Sequence, residues 1–190
     1  MNSHGSLIDR LYEAALVPEL WTETCERLAE EVGSSAASVF TVDPEGNYRY
    51  ATTPNMAEGF AAFVASDRRL HNIKPFRAMQ RSPFSFIRDV DVLTPAEYAG
   101  DDIRKEFIEP HGFQWEAGWA FQEPTGHSVV IVVTQAQGRL HFSDNQLDQL
   151  NELKGDLARS AYMASRLAFA EAHSMMDTLA MLDLPSAVLG

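Results

Sequence analysis

The sequence predicts an α+β sandwich: a five-stranded antiparallel sheet flanked by helices, extended by one long C-terminal helix. Three observations carry this. Short runs of β-branched and aromatic residues recur, mostly connected as hairpins by turn-forming residues. Segments of helical periodicity stand before, between and after those runs, which is the element order of a sheet with helices packed on it. From Ser143 to about Leu182 there is no proline and one glycine, Gly155.

The elements follow in order. Leu7, Ile8, Leu11, Ala14 and Ala15 place one apolar stripe on a helix over residues 6–17. Pro18 opens a second helix to Val32, striped by Leu20, Trp21, Cys25, Leu28, Ala29 and Val32 and stopped by Gly33. A strand over residues 36–42 and its partner "YRYATT" are joined by "DPEGN", whose Pro and Gly suit a tight turn, and Tyr48 and Tyr50 share a face. "NMAEGFAAFVAS" is helical in period through Met56, Phe60, Phe63 and Val64, and residues 67–82 read as irregular. "PFSFIRDV" predicts a short strand from the alternation of Phe84 and Phe86. Thr94, Pro95 and Glu97 form the N-cap, N1 and N3 of a helix, which resumes through "DDIRKEFIEPHG" and ends near Gly112. Strands "WEAGWAFQE" and "HSVVIVVTQ" are joined across Pro124, Thr125 and Gly126, and Ser143 with Gln146 caps the last helix.

Composition narrows the function. Of 190 residues, 45% are hydrophobic and 22% charged, a balance typical of a globular protein. A net charge of −12 repels phosphate backbones, so DNA contact is expected only through a domain outside this chain. No membrane span and no secretory signal are expected. The single cysteine, Cys25, excludes an internal disulfide, fits a cytoplasmic setting, and reads as a small buried apolar residue. The six histidines show no HxxxH or HxH spacing, and no GxSxG, P-loop or Rossmann glycine pattern occurs. Neither metal, cofactor nor enzymatic activity is expected.

The last helix is the most informative segment. Leu147, Leu150, Leu153, Leu157, Ala161, Ala164, Ala168, Ala172, Met175, Leu179 and Leu182 are spaced by three and four, the interval of a helix–helix seam. At about 1.5 Å per residue the helix reaches roughly 60 Å, longer than a small domain is wide. Its first half can cover the sheet and its second half, with small residues on the seam, can pair with a copy in a homodimer. The domain organisation expected is therefore a sensory domain over 1–142, a dimerisation helix over 143–182, and the start of a further module over 183–190, "DLPSAVLG".

Three stretches carry a family resemblance: "LIDRLYEAALVPELWTETCERLAEEVGSSAASVF", "TPNMAEGFAAFVASDRRLHNIKPF" and "LHFSDNQLDQLNELKGDLARSAYMASRLA". The layout resembles the N-terminal sensory regions, GAF- or PAS-like, of bacterial transcription regulators with a LuxR-type helix-turn-helix at the C-terminus. The terminal "LDLPSAVLG" resembles the first strand of a PAS-like repeat. The resemblance implies a ligand-sensing and dimerising region whose DNA-binding part follows it. The closely spaced Trp, Tyr and Asp of lactone-binding members are not recognisable, so no binding residue is transferred.

Candidate ligand-binding residues come from the chain itself. Tyr50, Phe60, Phe76, Phe86, Trp115 and Trp119 belong to segments that enclose the sheet, where small sensor domains hold ligands in apolar cavities with a few polar groups. Trp115 and Trp119, four apart, share a strand face, with Ala117 and Gly118 leaving room between them. A locally basic stretch adds Arg69, Lys74 and Arg77, with His71 as a polar neighbour, as contacts for an anionic ligand. The competing expectations are rings that merely fill a core, cations that pair with nearby carboxylates, and a ligand-free interaction and dimerisation module. A cofactor-bearing sensor is the remaining alternative.

Overall fold

The computed structural model describes residues 3–181 apart from residue 125, with side chains described for residues 5–167. The expected segment 183–190 and the far end of the seam, from Ala168 on, lie outside the described residues or side chains.

The chain opens with α1 (Ser3–Leu16), a 3-10 turn at Pro18–Leu20, and α2 (Trp21–Glu31). The second predicted helix is thus a 3-10 turn at Pro18–Leu20 running into an α-helix. Strand β1 (Ala36–Val42) has the predicted bounds, and β2 (Tyr48–Thr52) returns beside it. In the turn between them Gly46 takes φ 89°, a conformation glycine adopts without steric cost, and Asp43 accepts from Asn47 at both carboxylate oxygens. Helix α3 (Ala57–Ala65) follows a 3-10 turn at Pro54–Met56.

Residues 67–82, expected to be irregular, contain a 3-10 turn at Asp67–His71 and α4 (Lys74–Arg81). Asn72 Oδ1 accepts from Lys74 N near the start of α4, with Pro75 at its first positions. Only Ile87–Arg88 of the predicted "PFSFIRDV" strand pairs, as β3; α5 (Asp89–Val92) begins directly after it. The Thr94–Glu97 capping box opens α6 (Pro95–Gly100) as expected. The resumed helix is one π turn (Arg104–Ile108) and one 3-10 turn (Glu109–His111), closed by Gly112 at φ 82°. Strands β4 (Phe113–Gln122) and β5 (Ser128–Ala136) precede α7 (Asp144–Met181), whose capping box joins Ser143 and Gln146.

All five strands form one antiparallel sheet in the order β2-β1-β5-β4-β3. The non-local pairing of β1 with β5, from Ala36 opposite Thr134 to Val42 opposite Ser128, joins the two hairpins. Alternation splits the sheet's residues between its faces. One face, with Ala37, Val39, Ala117, Trp119, Val129, Ile131 and Val133, is buried under Leu7, Leu11, Leu28, Leu150, Leu153 and Leu157 of α1, α2 and α7. The first part of α7 is therefore sheet cover, as its seam predicts. Buried positions on α7 run to Ala161, while Tyr162, Met163 and Leu167 are exposed. The helix continues unbroken to Met181. The opposite face of the sheet carries the site.

Candidate functional site

The inner positions of the second face are small or short: Ser38 on β1, Gly118 and Ala120 on β4, and Val130, Val132 and Thr134 on β5. Helices cannot close down fully on such a floor. A cavity of about 90 Å³ remains between it and a roof built from α3, α4, α5 and the π turn. Phe40, Phe60, Phe63 and Phe107 form a continuous apolar wall, with ring centroids at 5.2 Å (Phe40 to Phe60), 5.9 Å (Phe60 to Phe63) and 5.8 Å (Phe63 to Phe107). Such tilted and edge-on contacts are the favoured geometry for ring quadrupoles. Gly59 lets α3 approach the π turn: a Cβ there would stand 2.7 Å from the Phe107 carbonyl oxygen and 2.8 Å from His111 Nδ1.

One end of the cavity is charged. Lys74, from the start of α4, and Asp89, from the start of α5, line it together with Glu116 of β4. Lys74 Nζ donates to Glu116 and lies 3.2 Å from Asp101 Oδ2. That Asp101 oxygen is buried and, among the described residues, has no hydrogen-bond donor aligned on it. Asp89 is only 6% exposed and accepts from its own helix at Val90 N, 2.8 Å, and across the sheet edge from Glu116 N, 3.2 Å. Beside them the Arg104 guanidinium lies 4.4 Å from the Tyr98 ring centre and ion-pairs with Glu109.

The electrostatics follow from that crowding. Burial, then the facing Glu116 charge, push the Asp89 carboxyl up to about 7, against the opposing pull of Lys74. Burial works against the Lys74 charge, but Glu116 and Asp101 outweigh it, so the ammonium is held more firmly than an ordinary lysine. Burial and the Asp89 charge also raise the Tyr98 phenol. One ammonium thus serves three carboxyl groups in a water-poor pocket end.

Of the ten residues singled out in the sequence, Phe60 and Lys74 line the cavity; Trp119 borders it from β4, but its indole lies on the α7 face, where Nε1 donates to the Pro83 carbonyl. The others lie elsewhere, each for a visible reason. Phe76 is on the outer face of α4 and 60% exposed. Tyr50, 41% exposed, meets Phe60 from outside at 4.7 Å with the rings tilted. Phe86 is buried on the α7 side against Trp119, with its N–H donating to Asn151 of α7. Trp115 stacks on Tyr98 at 5.2 Å and donates through Nε1 to the Arg139 carbonyl, beyond a register shift after Phe113. The basic stretch is largely neutralised: Arg77 makes a two-pronged pair with Glu97, and Arg69 donates to the Ser66 carbonyl. His71 is exposed, with its ring nitrogen at the Asp67 carbonyl. Asp89 and Glu116, which sequence reasoning missed, carry no local signal in a chain with 27 acidic residues. Among the described residues no group of three or more His, Cys, Asp or Glu side chains is arranged to hold a metal ion, and no helix is long and apolar enough to cross a membrane.

The sheet and its flanking helices take the fold seen in the ligand-binding domains of LuxR-type transcription regulators. The N-acylhomoserine lactone dependent LuxR family factor CepR2 of Burkholderia cenocepacia superposes with a TM-score of 0.57 at 14% identity, over 86% of this chain and 96% of that one. The ligand-binding domain of VqsR from Pseudomonas aeruginosa gives 0.64 at 9% identity, over 87% and 98%. SdiA, an Escherichia coli protein, in complex with octanoyl-rac-glycerol gives 0.53 at 14% identity, over 85% and 60%. No protein-family model and no curated protein sequence matches the chain.

Proposed function

We propose that this chain is the ligand-sensing and dimerising region of a cytoplasmic bacterial transcription regulator, with DNA contacted by a helix-turn-helix outside residues 1–190. The observation that carries the reading is the apolar cavity with one polar end, set on the sheet face away from α7. The fold shared with CepR2 and VqsR supports it. No catalytic role is assigned to the chain.

A route from cavity to helix is built into β3. Ile87 and Asp89 line the cavity, while Arg88 between them alternates to the other side. Its guanidinium donates to the Phe142 carbonyl at 2.6 Å and pairs with Asp144, the first residue of α7. A ligand that displaces Asp89 therefore pulls on the root of α7. The far part of α7 then pairs with its copy, and its altered pairing biases the DNA-binding module. Arg88→Ala is expected to retain ligand affinity while weakening the ligand's effect on that module.

Native mass spectrometry of the purified chain tests the reading: a retained small-molecule adduct, lost on denaturation, is expected. Light scattering tests pairing, since the whole chain is expected to be a dimer and residues 1–167 a monomer. The cavity of about 90 Å³, well below the roughly 300 Å³ or more of typical ligand sites, favours a second reading, a ligand-free dimerisation module. Absence of any adduct, together with no stabilisation by any small apolar compound, would select it.

A further inference from the structure

The charged end of the cavity has a sign, and that sign limits what can bind. Lys74 is the cation of the basic stretch that lines the cavity, and its ammonium is already engaged by Glu116 and Asp101. An anionic head group would have to strip those carboxylates from Lys74 and share the enclosure with them and with Asp89. That arrangement sets four acids around one base. Arg77 and Arg104 offer no relief, because Glu97 and Glu109 hold them.

A cation has the opposite effect. Among the described residues the enclosure is short of positive charge and short of donors: Asp101 Oδ2 is buried without an aligned donor, and Asp89 has only backbone N–H groups on its oxygens. Asp89 and Glu116 both line the cavity, within reach of a ligand seated among Phe40, Phe60 and Val132. Aromatic walls also favour a cation near their faces.

The geometry points to a small ligand with an apolar or aromatic body and a protonated amine head, the amine paired with Asp89 and Glu116 at the Lys74 end of the cavity. This inference rests on the reading of the cavity as a ligand site. It replaces the anionic ligand expected from the basic stretch, since those cations are spent on protein carboxylates.

The test uses the full chain and three probes of one size: benzylamine, benzyl alcohol and benzoate. Affinities are measured by calorimetry at near-physiological salt, where surface attraction to an acidic protein is screened beyond about 8 Å. Methyl NMR shifts of Val130 and Val132 locate binding in the cavity. Benzylamine is expected to bind at least tenfold more tightly than benzyl alcohol, and benzoate most weakly. Asp89→Asn and, independently, Glu116→Gln are expected to erase most of the benzylamine advantage while leaving benzyl alcohol binding in place. Benzyl alcohol binding with benzoate equal to or above benzylamine overturns the amine inference alone. An amine preference unchanged in both variants overturns it too. Failure of all three probes to shift the two valines overturns the ligand-cavity reading and the inference with it.

Discussion

Asp89 makes stability depend on pH in a direction opposite to most surface carboxylates. Its carboxyl is raised from 3.8 to about 7 in the folded chain. Between those values the folded state holds a proton that the unfolded state has released. Stability from this group is therefore full below about pH 4 and is lost as pH rises through about 7. The rise corresponds to roughly 4 kcal/mol as an upper value, at about 1.4 kcal/mol per unit. The groups facing Asp89 are Glu116 on β4, Lys74 on α4 and Tyr98 on α6, with Asp101 and Arg104 close behind. Asp89→Asn removes the titration and adds a constant cost of about 1–3 kcal/mol, because an amide nitrogen meets a backbone donor where a carboxylate oxygen accepted. Urea unfolding of both proteins in steps from about pH 4.5 to 8.5 separates the two effects. The wild-type advantage is expected to shrink by roughly 2–4 kcal/mol across that range, a midpoint shift of about 1–2 M at ordinary m-values. A difference that stays flat with pH would refute the buried, charge-crowded environment assigned to Asp89.

Other expectations are more local. Gly59→Ala should destabilise the chain by about 1–3 kcal/mol, although alanine favours helices by about 1 kcal/mol, because its methyl meets the Phe107 carbonyl; thermal unfolding measures the net loss. Cys25 is 1% exposed with its thiol pushed up to about 12 by burial, so thiol reagents should label it only at the rate of unfolding, seen as equal labelling and unfolding rates. Leu153→Ala, in the core between α7 and the sheet, should cost about 2–5 kcal/mol in urea unfolding, far more than Leu167→Ala at the exposed end.

The parts of the fold legible in sequence were those written locally. β1 carried its own bounds in β-branched residues and a Pro-Gly turn, and two capping boxes marked the starts of α6 and α7. Residues 74–81 were illegible because the helix is only eight residues long and its bulkiest apolar residue, Phe76, faces out. The π turn at Arg104–Ile108 also escaped, since nothing in "RKEFI" distinguishes it from an α-helical turn. The site was the least legible part. β5, "SVVIVVTQA", is apolar on both faces, so alternation does not say which side holds the cavity. Trp115 and Trp119 therefore drew attention to their strand, yet it is Glu116 and Gly118 between them that face the cavity. Lys74, Asp89 and Glu116 meet only because α4, α5 and β4 converge at the β3 edge, a juxtaposition without a sequence spacing.

The two faces of the sheet divide permanence from change. Leucines from three helices hold one side shut, so the other side can be rewritten without the molecule losing its shape. If the cavity is the ligand site proposed above, trading Val130, Val132 or Ala120 for residues of different bulk is expected to change which guest fits, while the leucine-covered side keeps the scaffold standing. On that reading, a lineage, or an engineer, can exchange the signal heard and leave the reply untouched.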